Sequence, residues 1–138
     1  MPATRHIHGS GHGGAAQRWQ TQRRARERQG RLAEFAAAAL LVLEGYRILE
    51  RRVRGPFGEI DLIAVRGRRL AFVEVKSRQS LEAAQASITT RQARRIRAAA
   101  ERWVWRHPGY REHELGLDAV LLGANFLPRH VPNALAAP

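Results

Sequence analysis

The sequence predicts an α/β domain with its elements in the order α-β-β-β-α-β, built on a mixed sheet. Three observations predict it. An Ala- and Leu-rich run, residues 32–44, has helical spacing and stops at Gly45. Three strand-like runs then follow closely enough to form an antiparallel meander. An amphipathic helix next separates the third strand from a fourth apolar run. That last strand should add parallel to a neighbour through a right-handed crossover.

Residues 1–17 are rich in Gly and His, show no hydrophobic period and read as a disordered tail. Residues 18–30 form a basic tract with one acid, Glu27, read as an arm or a helix extension. The domain itself is expected over residues 31–125. Its first helix is apolar on nearly every side and should be mostly buried. Glu34 inside it therefore needs a partner, water or a metal. Residues 46–53 alternate as a first strand, ended by a Gly55-Pro56 turn. Residues 59–65 and 70–76 are β-branched runs flanking RGRR. Residues 90–106 place Ile96, Ala99, Ala100 and Trp103 on one helical stripe with arginines around it, and Pro108-Gly109 ends the helix. LGLDAVLL, residues 115–122, is a short buried strand, and residues 126–138 read as a flexible Pro- and Ala-rich tail.

Composition bounds the partners. The 138 residues suit a single ordinary core, and no cysteine is present for disulfides or thiolate zinc sites. A reducing, cytoplasmic location fits that usage. The longest apolar run, residues 35–43, is far below the length that spans a bilayer, so nothing is expected to span a membrane, and nucleic acid is the expected partner in preference to membrane. Formal net charge is +12, which favours a polyanion, with nucleic acid first and an anionic membrane surface second.

The two β-branched runs carry the chemistry. A two-residue turn at Gly67-Arg68 puts glycine where a positive φ is needed. It pairs Arg66 with Arg69, Val65 with Leu70, Ile63 with Phe72, Asp61 with Glu74 and Glu59 with Lys76. The opposite face, Ala64–Ala71, Leu62–Val73 and Ile60–Val75, is wholly apolar. A one-residue slip would mix charge into both faces, so the pattern selects this register. Asp61 and Glu74 then sit with Cβ atoms about 5 Å apart. Two carboxylates that close repel by roughly 3 kcal/mol at an effective dielectric near 20. Either one is protonated or a cation lies between them. Oxygen ligands alone point to Mg²⁺ or Mn²⁺ rather than zinc.

Lys76 projects from the same face as Glu74. It is the only lysine among 24 Lys and Arg residues. An ammonium is a rotatable point charge whose pKa moves on desolvation, whereas a surface ion pair would serve equally well with arginine. The plain alternative for these residues is a charged strand end with ordinary ion pairs.

GEIDLIAVRGRRLAFVEVKSR, residues 58–78, resembles the YraN-like family of bacterial proteins. That family is a branch of the PD-(D/E)XK nuclease superfamily, related to archaeal Holliday-junction resolvases. The likeness runs from about residue 30 to residue 122 and includes Glu34 in GRLAEFA, Gly45-Tyr46, and LDAV around Asp118. It implies a restriction-endonuclease-like core, with Asp61, Glu74 and Glu34 as metal ligands and Lys76 as the catalytic lysine. The implied activity is metal-assisted hydrolysis of phosphodiester bonds in DNA in preference to RNA, including branched or structured DNA. By analogy with a junction that offers two symmetric strands, it also implies a homodimer. The alternative is a non-catalytic nucleic-acid-binding protein on the same fold. Gln92 stands where many relatives carry a lysine, and Leu117 replaces a Phe before Asp118. The basic N-terminus lies outside the match.

Outside that segment, Arg91, Arg94, Arg95 and Arg102 are expected to form a phosphate-contacting face, and Gln92 lies on the helix stripe that reaches the site. Asp118 reads as an Arg-paired structural acid in preference to a residue that orients the site. Trp103 reads as core, and Trp105 as a surface aromatic or a base-stacking one. Glu112, His113 and Glu114 read as a solvated charge run.

Overall fold

The computed structural model describes residues 10–136. It contains a five-stranded sheet in the order β1-β2-β3-β4-β5. Strands β1 (Arg47–Gly55), β2 (Gly58–Arg66) and β3 (Arg69–Ser77) form the antiparallel meander. Helices α2 (Leu81–Ala86) and α3 (Thr90–Arg106) lead to β4 (Glu114–Leu122), which runs parallel to β3. A short β5 (Pro128–Val131) then pairs antiparallel with β4. The architecture is therefore the expected α/β mixed sheet, and α3 occupies the residues expected of it.

The chain divides into two units, residues 1–31 and 32–138. The described part of the first is the leading stretch of α1 (Ser10–Leu43). Residues 10–17 are thus helical rather than tail, and the remainder of the expected tail, residues 1–9, lies outside the described residues. The basic tract is a helix extension, because Arg, Gln, Glu and Ala favour helix one by one even without an apolar stripe. Its residues 16–31 are all exposed. At the far end Gly45, with φ of 96°, turns the chain, and the Tyr46 N–H donates back to the Leu41 carbonyl at 2.9 Å.

In the second unit each face of the sheet carries its own core. On one face Ala33, Ala37, Ala38 and Leu41 of α1 pack on Leu62, Ala64, Ala71, Val73, Val120 and Leu122. On the other, Ile96, Ala100 and Trp103 of α3 pack on Ile63, Val65, Leu70 and Phe72. Helix α1 departs from expectation here. It buries a face made mostly of alanine. Leu32, Phe35, Val42 and Leu43 remain more than half exposed.

The β2–β3 register matches expectation for five consecutive pairs, from Arg66–Arg69 to Leu62–Val73. There the ladder stops. The expected pairs Asp61–Glu74, Ile60–Val75 and Glu59–Lys76 are not part of it. Ile60 packs with the α3-side core, while Leu62 packs with the α1-side core. The simple alternation is thus broken at Asp61. The β1–β2 ladder skips the same point, pairing Arg51 with Leu62 and Val53 with Ile60. Between them Arg52 has φ of 51°, a left-handed conformation that costs a non-glycine residue on the order of 1 kcal/mol or more.

Of residues 126–138, expected as a flexible tail, the described residues 126–136 instead close the sheet, and residues 137–138 lie outside the described residues. β5 pairs with β4, and Leu135 is fully buried. What holds them is a polar network around Asp118, itself without solvent exposure. Arg69 donates to both Asp118 oxygens at 2.6 and 2.8 Å and to the Tyr46 hydroxyl at 3.0 Å. The Asn133 N–H adds a bond at 2.9 Å. His130 bridges Asp118 at 2.8 Å and Glu44 at 2.7 Å. Each ring nitrogen faces a carboxylate, so the imidazolium fits best, and the bonds to Asp118 and Glu44 raise the His130 pKa. Burial works against ionising Asp118, but the bonds from Arg69, His130 and Asn133 outweigh it and hold its pKa at about 2.

Gly116 is the access route for this pair. A Cβ there would collide with the Arg69 guanidinium, which cannot swing aside without leaving Asp118. Gly116→Ala is expected to destabilise the fold by about 1–3 kcal/mol, as an overpacked core does. Urea titration followed by circular dichroism measures it. An unchanged midpoint would show that the guanidinium relocates freely.

Candidate active site

The acids gather where β2 parts from β3. Beyond Val73 the Asp61 side chain takes over the pairing, with its Oδ2 accepting from the Val75 N–H at 2.7 Å. That bond satisfies a backbone donor the diverging strands would otherwise orphan. From α1, Glu34 reaches the same place. Glu34, Glu59 and Asp61 each present a carboxylate oxygen within 4.8 Å of the others. Among the described residues they are the group of His and acid side chains close enough to share an ion.

Burial is the largest influence on Asp61, followed by the charge of Glu74. The Val75 bond opposes both, and Glu34 and Glu59 add to the rise. The result is a pKa of about 7. The electrostatic conflict expected between Asp61 and Glu74 is therefore present, although the two are not partners in the ladder. The conflict is also broader than expected, because Glu34 and Glu59 share in it.

Glu74 itself faces Lys76. The Lys76 Nζ lies 3.3 Å from Glu74 Oε1, and Lys76 is only 7 % exposed. A buried lysine with a single carboxylate partner is an unusual residue to retain. Glu34 has a cation of its own, since Arg52 Nε donates to its Oε2 at 2.7 Å. The left-handed backbone at Arg52 is what places that guanidinium beside the acids. Glu59 sits 3.3 Å from the exposed Arg54 rather than opposite Lys76.

Of the four anticipated site residues, the structure brings Glu34 and Asp61 directly together and sets Glu74 and Lys76 beside them as an ion pair. Glu59 joins the cluster unforeseen. Its signal was present in GEID, two residues before Asp61, but an acid at an exposed strand end has many ordinary explanations. Gln92 is spent locally. Its Oε1 accepts from the Thr89 N–H, while Thr89 Oγ1 accepts from the Gln92 N–H, a capping box that starts α3. Even so, Gln92 lines a small pocket with Glu59, Glu74 and Arg95.

The expected arginine face divides. At about 100° per residue, Arg91, Arg95 and Arg102 fall within a narrow arc and Arg94 lies well off it. Arg95 is nearest the acids, its side chain resting against Gly58. Trp103 is core and donates to Glu50 at 2.6 Å, whereas Trp105 is exposed. Asp118 serves the Arg69 network and takes no part in the acid cluster. Glu112, His113 and Glu114 form no acid cluster with one another. No helix among the described residues is long and apolar enough to cross a membrane.

Oxygen donors alone surround the cluster. An Mg²⁺ or Mn²⁺ ion bound at about 2.1 Å spaces its ligands at up to roughly 4 Å, which small side-chain shifts would reach. The donor set fits such an ion, and its charge would relieve the repulsion on Asp61.

Comparison with known proteins places the chain. Residues 33–122 match the model of "Uncharacterised protein family UPF0102". A UPF0102 protein of Rhodopseudomonas palustris strain BisB18 is 50% identical over 116 residues, covering 84% of this chain and 86% of the relative. One from Bradyrhizobium sp. strain ORS 278 is also 50% identical over 116 residues, 84% of this chain and 82% of its own. A third, from Nitrobacter winogradskyi strain Nb-255, is 48% identical over 108 residues, 78% of this chain and 92% of its own. The matched span takes in the helix segment with Glu34, both hairpin strands, α3 and β4. The chain belongs to the UPF0102 family, the YraN-like family that its GEID and VEVK segments resemble.

Proposed function

We propose that this protein is an endonuclease that hydrolyses phosphodiester bonds in DNA with the help of Mg²⁺ or Mn²⁺. One observation carries the reading: three carboxylate oxygens converge within 4.8 Å, beside the chain's single, buried lysine. Evolving for stability alone would separate these acids.

Glu34, Glu59 and Asp61 would hold the ion, with Glu74 beside them. When bound, it would supply positive charge to a phosphoryl oxygen and acidify a water. The chain's own groups do the rest. Lys76 presents an ammonium to the charge that grows on the phosphate. Glu74, at 3.3 Å, holds Lys76 in place. The Val75 N–H fixes the Asp61 carboxylate. Arg91, Arg95 and Arg102 contact backbone phosphates, which positions a nucleic-acid strand without reading its sequence. Branched DNA and a homodimer to cut it symmetrically are part of the proposal.

A non-catalytic nucleic-acid-binding role is the second reading. The Arg52–Glu34 bond of 2.7 Å favours it, because one acid of the site already has a cation. The test incubates the full chain with linear, single-stranded and four-way-junction DNA in Mg²⁺, Mn²⁺ or EDTA. Cleavage that needs the ion and is lost in Asp61→Ala is expected. Cutting that persists in EDTA, or in Asp61→Ala, would reject the mechanism. Binding with no cutting under any condition would establish the second reading.

A further inference from the structure

A cavity of about 300 Å³ lies between the β1–β2 turn and the C-terminal half of α3. That is the lower end of the range for small-ligand sites, roughly 300–1,000 Å³. Arg54, Phe57, Arg102, Trp103, Arg106 and His107 are among its walls. The chemistry of those walls is specific. Trp103 and His107 stack face to face, with ring centroids 3.9 Å apart and planes 11° from parallel. The Glu50 carboxylate, also in the wall, is engaged by the Trp103 indole N–H at 2.6 Å. Among the described residues no acid lies within ion-pair distance of Arg102 or Arg106. Two guanidinium groups therefore face a cavity whose one nearby carboxylate is already occupied.

Phe57 adds a second, independent feature. It stands in the GPFG turn, where Gly58 has φ of 106°, and it remains 43 % exposed. A turn between two strands has no folding need for an exposed phenyl ring. Phe57 and Ala99 also line the small pocket that holds Glu59 and Glu74. The cavity and the acids are thus neighbours on either side of Phe57.

We propose that this cavity is a binding subsite for one nucleotide of a single strand, with its base on Phe57 and its phosphate on Arg102 and Arg106. The phosphodiester on the other side of Phe57 then lies at the acids. This deepens the nuclease reading and rests on it for what the subsite feeds. Aromatic rings accept any base through stacking, and guanidinium forks suit phosphate oxygens. The subsite therefore favours unpaired nucleotides over an intact duplex, without sequence preference. A frayed end or the open centre of a branch supplies them.

The test measures binding in EDTA, where cleavage plays no part, using the full chain and a short fluorescent single-stranded deoxyoligonucleotide. An abasic oligomer of equal length carries the same charge without bases. The wild type is expected to bind the base-bearing strand about tenfold more tightly than the abasic one, and Phe57→Ala to remove that preference. The double variant Arg102→Ala/Arg106→Ala should weaken binding by about tenfold or more. It should also lower the slope of log affinity against log salt by about 0.7, as expected for one phosphate contact on a single strand. Arg68→Ala/Arg97→Ala removes the same charge elsewhere and should do neither. Thermal unfolding confirms that each variant is folded. Equal losses in the two double variants, or equal wild-type affinity for both strands, would overturn the subsite. Asp61→Ala should keep the full preference in EDTA, so failure of the nuclease reading and failure of the subsite are separate results.

Discussion

Asp118→Ala is expected to destabilise the protein by about 3–5 kcal/mol, the usual cost of leaving a buried charge without its partner. Arg69 is held by both carboxylate oxygens of Asp118 and is largely buried. Without that acid it keeps only the Tyr46 hydroxyl and a marginal contact with Asn133 at 3.5 Å. The same substitution releases the Asn133 N–H and one nitrogen of His130. The C-terminal segment thus loses its polar ties to Asp118 and keeps the backbone pairing of β5 with β4. Domains of this size have about 5–15 kcal/mol in total, so much of the stability is at stake. Urea unfolding followed by circular dichroism gives the value. A loss below about 1 kcal/mol would mean that the network is incidental.

The same network sets a pH window. Asp118 is depressed from 3.8 to about 2. Its contribution is therefore present above pH 3.8 and is lost as pH falls through about 2. That difference is worth on the order of 2 kcal/mol. His130 is raised above 6.5, so its contribution is complete below pH 6.5 and is lost as pH rises through the folded value. The two together place the network's best support between about pH 4 and 6.5. His130→Gln should flatten the alkaline limb of a stability profile and leave the acid limb in place.

Under the proposed nuclease function, Lys76→Ala is expected to lower metal-dependent cleavage by about 10²- to 10³-fold, the usual effect of removing one preorganised group that stabilises transition-state charge. Metal binding separates its role from that of the acids. Calorimetric titration with Mn²⁺ should give nearly the same affinity for Lys76→Ala as for the wild type, and none for Asp61→Ala. Lys76→Arg should not restore activity, because a planar guanidinium cannot replace a compact ammonium 3.3 Å from Glu74. Lys76→Met keeps most of the buried stem and guards against a loss through unfolding. Full activity in Lys76→Met would reduce the lysine to a structural ion pair.

Much of the fold was legible because its signals are local. The arginine-flanked apolar stripe and the Pro108-Gly109 stop mark α3, whose start the structure fixes with a capping box at Thr89 and Gln92. The Gly67 turn and the alternating apolar residues define five cross-strand pairs of the hairpin. Other parts were not legible, for equally physical reasons. α2 is six residues long, and its start is marked by one cap, the Ser80 hydroxyl accepting from the Ala83 N–H at 3.0 Å. β5 has four residues and exists because β4 offers it an edge and Asp118 fastens Asn133 just beyond it. The apolar surplus of α1 suggested all-round burial. Only packing shows that alanine, not leucine or phenylalanine, faces the sheet.

The site divides in the same way. By itself the sequence singled out the candidate site residues, because a lone lysine and two acids gather at the end of otherwise apolar strands. It also determined the five pairs of the hairpin nearest the turn, where the period-two alternation holds. Only the tertiary structure decided how those residues meet. The strands part at Asp61, whose carboxylate replaces the next rung of the ladder by accepting from Val75. The left-handed backbone at Arg52 and the reach of Glu34 from a distant helix then complete the cluster, with Glu59 as a further member. A strand pattern predicts where a ladder continues. Where it stops depends on side chains that compete for the same backbone donors, and those come from elements far apart in the chain.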